Sequence, residues 1–220
     1  MSAPDLTLWG IGTPRTMRAH WILMEFGLEY ELRPIQSRTG ETMTEQFLAL
    51  NPRHKIPVLQ HGPLVLAESA AIVGYVSERF AAPAGFFVPN DASRRAKLSE
   101  WCFFIMTELD ALSLYVIRRH LDLHGIYGEA PNAVACAKDG FSEQADAAFK
   151  AFGEDSEFLM PEGMSLADIL LTTCIDAALQ RGIVLPAVLI DYMNRMIERP
   201  NYRSAFETNF PHRRLAAGAR

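Results

Sequence analysis

Every segment that reads as a β-strand lies in the first 67 residues of this 220-residue chain; from Ala92 onward the apolar residues repeat at helical spacing. A chain with strands at one end and helices at the other builds an α/β layer first and an all-α layer second. Leu6 to Trp9 alternates as a short strand, and Gly10-Ile11-Gly12-Thr13-Pro14 breaks it. Arg15 to Phe26 has helical spacing, with Met17, Trp21 and Met24 beside Ala19, Ile22 and Leu23, and it ends at Gly27. Leu28 to Pro34 is extended, which gives strand, helix, strand and a parallel pair. Glu45 to Leu50 reads as a short helix stopped by Asn51-Pro52. Ile56 to Gln60 and Leu64 to Ala67 flank His61-Gly62-Pro63 as a hairpin, and Glu68 to Phe80 is helical again.

The order β-α-β-α-β-β-α therefore defines a first domain over 1–82. Pro83, Gly85 and Pro89 mark 83–91 as a linker. The rest, 92–220, reads as a helical bundle: Ser93 to Leu123, Ala133 to Phe152, Ser165 to Arg181, Ala187 to Glu198, and a short helix from Pro200.

Composition narrows the function. The net charge is -5 with no basic tract to meet phosphates, so nucleic acid is a poor candidate partner and none is expected. No run of eighteen apolar residues exists to span a membrane. Met1 to Leu8 lacks a basic, apolar leader, which points to a cytoplasmic location. Cys102, Cys136 and Cys174 are far apart and form no Cys-x-x-Cys, so neither a disulfide framework nor a metal site is expected, and each reads as core.

Four segments taken together resemble the glutathione S-transferase family, with a serine/threonine-type first loop similar to tau, zeta and theta-like bacterial members. Thr13-Pro14-Arg15-Thr16-Met17-Arg18 resembles the first loop and helix of the serine-type classes, which read Ser-Pro-x-x-x-Arg. Asn51-Pro52-Arg53-His54-Lys55-Ile56-Pro57-Val58-Leu59 is similar to Asn-Pro-x-x-Lys-Val-Pro-Val-Leu. Leu66-Ala67-Glu68-Ser69 is similar to the Glu-Ser pair, and Ser165-Leu166-Ala167-Asp168 to a motif of the second domain. The resemblance implies a thioredoxin-like first domain (β-α-β-α-β-β-α), an all-α C-terminal bundle and a homodimer. It also implies glutathione as co-substrate and no metal.

Glutathione has an ammonium, two carboxylates and a thiol, and the resemblance distributes them. Glu68 and Ser69 would take the γ-glutamyl end where a helix N-terminus attracts an anion; the alternative is a helix cap with an acidic neighbour. A cis Ile56–Pro57 bond would turn the Ile56 backbone toward the ligand, which pairs with it like an added strand. Lys55 would meet the glycyl carboxylate, with His54 and Arg53 as weaker candidates, and a solvated lysine as the alternative.

Only a thiolate attacks. Thr13 stands where the serine-type classes place their activating serine, and Thr16 is the alternative donor. Trp9 reads as core. Thr13-Pro14-Arg15-Thr16 has no sulfur where glutaredoxins have Cys-Pro-x-Cys, so dithiol exchange at this loop is excluded. Tyr115 and Arg119 are candidates for the second substrate. Ser165 and Asp168 form a Ser-x-x-Asp cap rather than a catalytic pair. The implied activity is conjugation of the glutathione thiolate to small electrophiles, a detoxifying transferase. The alternatives are a non-catalytic glutathione-binding regulator on the same fold and a glutathione-dependent isomerase.

Overall fold

A computed structural model describes residues 5–150 and 157–214. The first elements are β1 Leu6–Trp9, α1 Pro14–Glu25, β2 Glu31–Arg33, α2 Glu45–Leu50, β3 Val58–His61, β4 Leu64–Ala67 and α3 Ser69–Arg79. The strands form one sheet in the order β2-β1-β3-β4. Leu8 of β1 lies opposite Leu32 of the parallel β2 and opposite Leu59 of the antiparallel β3. Neighbours along a strand point to opposite faces. Trp9 and Val58 accordingly join Phe47 and Ile56 in one buried cluster, backed by Ile35, Leu50 and Ala67. Leu8 and Leu59 face the other way and are buried too, as are Ile22, Leu23, Ile72 and Val76 of α1 and α3.

The expected order holds, with one element trimmed. Only Glu31–Arg33 of the extended Leu28 to Pro34 stretch pairs as a strand. Leu28 N–H instead bonds back to Leu23 O, and the Tyr30 hydroxyl meets the His20 ring. Both tie the segment to α1 before β2 begins.

The described residues fall into two compact units, one within Met1–Val88 and Met196–Arg220, the other within Pro89–Arg195. In the second unit α4 Ala92–Phe104 opens on Asp91, whose carboxylate accepts the Arg94 N–H at 3.0 Å. Its helical path runs on through Ile105–Leu114, α5 Tyr115–Ile117 and Arg118–Asp122, wound in part with i→i+5 bonds such as Leu123 N–H to Arg118 O. A turn of helix, α6 His124–Tyr127, precedes α7 Pro131–Lys150, α8 Leu166–Leu179 and α9 Ala187–Ile197. Phe152, where the sequence reading ends the second long helix, lies outside the described residues.

The last helix, α10 Pro200–Asn209, belongs by contacts to the first unit, although the sequence reading groups it with the bundle. The reason is its packing on α1. Trp21 meets Tyr202 edge-on at 4.9 Å, and Arg199 pairs with the buried Glu25. Among the described residues no helix is long and apolar enough to cross a membrane.

Candidate functional site

The loop between β1 and α1 is shaped by glycine. Gly10 has φ +116°, and a Cβ there would lie 2.6 Å from the Ile56 Cβ and 3.0 Å from the Thr16 Cγ2. No other residue allows that approach without displacing backbone-anchored atoms. It places Ile56, which precedes the cis Pro57, directly against the start of α1. Both Ile56 and Pro57 are buried.

Thr13 caps α1. Its Oγ1 accepts the Thr16 N–H at 3.0 Å, and Thr16 Oγ1 accepts the Thr13 N–H at 3.0 Å, a reciprocal capping box with Pro14 at the first helical position. The two hydroxyls lie 3.0 Å apart. They differ in what they can still give. Thr16 is fully buried, and its proton has Asn209 Oδ1 at 2.6 Å and the Thr13 carbonyl at 2.8 Å as acceptors. Thr13 keeps 7% of its surface, and its oxygen accepts at the helix end, where unpaired N–H groups and the dipole favour negative charge.

The second helix start, α3, has no side-chain cap but also carries a buried hydroxyl. Ser69 is buried, and its Oγ accepts from the Arg18 guanidinium at 3.1 Å. A guanidinium has only donors, so the hydroxyl proton of Ser69 is not used in that bond. Arg18 is itself 1% exposed and adds a buried positive charge close to the N-terminus of α3. Glu68, just before it, has φ +71°, a region non-glycine residues rarely occupy and that concentrates at ligand sites. Its exposed carboxylate pairs with Arg53 at 3.0 Å.

Between the two helix starts runs the loop 51–57. Buried Asn51 templates it: its Nδ2 donates to Lys55 O at 2.8 Å, and its Oδ1 accepts the Arg53 N–H at 3.2 Å. His54 sits at φ +48°, and His54 and Lys55 are exposed. The structure thus brings Thr13, Thr16, Ile56, Pro57, Glu68 and Ser69 into one unit with His54 and Lys55 at its surface. Trp9, expected as core, is buried and donates to Gln60 Oε1 at 2.6 Å.

Two groups of sequence candidates lie elsewhere, in the helical unit. The Arg119 guanidinium stacks 4.3 Å from the Tyr127 ring and 5.9 Å from the Tyr115 ring. Ser165 and Asp168 form the foreseen capping box at the start of α8. Sequence reasoning missed Arg18, Asn51 and Asn209. Arg18 and Asn51 stood within matched motifs and carried a signal; Asn209 carried none.

The first unit has the strand order and helix placement of a thioredoxin-like domain, followed by helices. Residues 4–78 match the family model described as "Glutathione S-transferase, N-terminal domain", so the chain carries a glutathione S-transferase N-terminal domain, as the motifs imply. Glutathione S-transferase D7 of Drosophila melanogaster is 27% identical over 180 residues, 78% of this chain and 74% of that protein. Glutathione S-transferase theta-3 of Mus musculus is 37% identical over 83 residues, 38% of this chain, which spans only 34% of that relative's length. The theta class glutathione S-transferase of Xanthomonas axonopodis pv. citri, solved with glutathione bound, is 26% identical with a TM-score of 0.76, over 92% of this chain and 97% of that one.

Proposed function

We propose that the protein binds glutathione on its first domain, read as 1–82, and transfers the thiolate to small electrophilic compounds. Glu68 and Ser69 receive the γ-glutamyl end, the Ile56 backbone pairs with the extended tripeptide, and Lys55 meets the glycyl carboxylate. Thr13, not Thr16, donates to the sulfur. The single observation that carries this reading is the hydroxyl pair at the start of α1. The Thr16 proton is sealed among buried acceptors, whereas Thr13 is partly open and its oxygen is already an acceptor.

The energies are adequate. Lowering a thiol pKa from about 8.5 by two pH units requires about 2.7 kcal/mol. A hydrogen bond to a charged acceptor supplies roughly 1.5–3 kcal/mol, and a helix N-terminus roughly 0.3–1 kcal/mol more. Tyr115 and Arg119 remain our candidates for contacting the electrophile, and a two-fold homodimer in the cytoplasm our expected state.

Thr13→Ala should therefore lower kcat/KM by roughly 10–100-fold, with glutathione affinity by calorimetry nearly unchanged and the thiol pKa moved up toward 8.5. Lost affinity with undiminished turnover would refute the role. A second reading, a glutathione-binding protein that never activates the thiol, is favoured by one distance: at 3.0 Å the Thr13 proton can turn inward to Thr16. Ultraviolet titration of glutathione bound to the unaltered protein separates the two. A lowered thiol pKa supports the transferase, and an unshifted one supports the non-catalytic protein.

A further inference from the structure

One buried side chain from the far end of the chain governs the loop that carries Thr13. Asn209, the last residue of α10, is fully buried. Its Nδ2 donates to Thr13 O at 3.0 Å, and its Oδ1 accepts from Thr16 Oγ1 at 2.6 Å and from Gly12 N–H at 3.2 Å. Its backbone carbonyl also accepts the Gly12 N–H at 2.8 Å. The amide orientation is fixed by its partners: Thr13 O only accepts and Gly12 N–H only donates, so the flipped amide would oppose like to like.

The same bonds fix the direction of a proton. Thr16 has one hydroxyl proton and two strong acceptors. Thr13 O already receives the Met17 N–H at 3.0 Å and the Asn209 Nδ2–H, whereas Asn209 Oδ1 is closer. The proton therefore goes to Asn209. Toward Thr13 the Thr16 oxygen is left as an acceptor, and Thr13 is the hydroxyl that chooses between a neutral oxygen and an arriving charged sulfur. A charge-assisted bond is about twice as strong as a neutral one, so sulfur wins if the loop holds Thr13 in place.

We propose that Asn209 is a positioning residue for thiol activation, clamping the Gly12–Thr13 backbone and committing the Thr16 proton so that Thr13 serves the sulfur. This rests on the transferase reading above. Neither the thiol nor the electrophile touches Asn209; it acts through Thr13.

The test uses the full chain with glutathione itself as the probe. Asn209→Asp keeps the shape, sets an oxygen against the Thr13 carbonyl and adds a negative charge. Asn209→Ala removes both side-chain contacts and leaves the backbone bond to Gly12. In both, the thiol pKa of bound glutathione should rise, in Asn209→Asp by about one pH unit, which is a tenfold loss of thiolate at a fixed pH below the pKa. Turnover should fall more than KM rises. Variants that bind glutathione, are less stable and keep the thiol pKa of the unaltered protein would overturn the proposal, because a merely structural residue gives that result. Either variant alone suffices should the other fail to fold. If the unaltered protein itself shows no lowered thiol pKa, the transferase reading fails first, and that outcome is distinct.

Discussion

Asp168→Ala is expected to destabilise the protein by roughly 3–5 kcal/mol, read as a fall in the urea midpoint at constant slope. The carboxylate is fully buried and collects four donors. Oδ1 accepts Leu159 N–H at 2.9 Å and the Tyr192 hydroxyl at 2.9 Å; Oδ2 accepts Ser165 N–H at 2.7 Å and Ser165 Oγ at 2.8 Å. Burial pushes this carboxyl above the usual range, while the donors from Leu159, Ser165 and Tyr192 pull the other way. Alanine takes the side-chain acceptor from two buried backbone N–H groups, at roughly 1–3 kcal/mol for each, and weakens the hold on the Tyr192 hydroxyl, which keeps the Asp168 carbonyl at 3.4 Å. Asp168→Asn is expected to do little better, because its amide turns donors toward donors. Tyr192→Phe removes a single donor and should cost only about 1 kcal/mol. Because we place no chemistry at Asp168, glutathione affinity of the folded variant should stay unchanged. A loss below about 1 kcal/mol for Asp168→Ala would mean that the cap does not hold the start of α8.

That cap was legible in the sequence because its parts are three residues apart. The same is true of most of the first unit. Alternation in Leu6–Trp9, the Gly27 stop after α1 and the hairpin about Gly62 are local signals, and local physics decides them. Thr13 was legible as the first candidate and Thr16 as its alternative, but not the physical ground we propose for preferring Thr13, which is where the second hydroxyl's proton goes. That depends on Asn209, 193 positions beyond Thr16. A polar residue at the end of a helix reads as an ordinary terminus, and nothing nearby marks it as buried. Arg18 stood in the first-loop motif, but its role was not legible there: an arginine in a helix reads as surface, and only the approach of α3 shows its guanidinium bonded to Ser69. The long helix of the second unit illustrates another limit. Its apolar residues do repeat at helical intervals, yet the i→i+5 winding of Ile105–Leu114 leaves no glycine or proline signature. The grouping of α10 with the first unit depends on Trp21 meeting Tyr202, a contact between distant parts of the chain.

His20 sits on the same helix as Thr13 and gives the site an acid limit. The ring is fully buried, with Nε2 at 3.1 Å from Gly10 O and Nδ1 at 2.7 Å from the Tyr30 hydroxyl. A carbonyl only accepts, so Nε2 carries the proton and Nδ1 offers its lone pair to Tyr30. Burial lowers the His20 pKa from 6.5 to about 4, opposed by the bond to Gly10, and burial raises the Tyr30 pKa to about 12. The sign follows from proton binding. Below pH 6.5 the unfolded chain takes up a proton that the folded ring refuses until about pH 4. The contribution is therefore complete above pH 6.5 and is lost as the pH falls toward 4, by about 3 kcal/mol in total. Carboxylates titrate in the same range, so the His20 share must be isolated by difference. His20→Gln removes the titration and retains an amide able to donate to Gly10 O. Urea unfolding of both proteins from neutral pH down to about 4.5 should show the unaltered protein losing roughly 2–3 kcal/mol more than the variant. Parallel stability curves would mean that the folded imidazole takes up its proton in acid as readily as the unfolded one. The Gly10 carbonyl would then face a charged ring, and the loop that presents Thr13 would not depend on a neutral one.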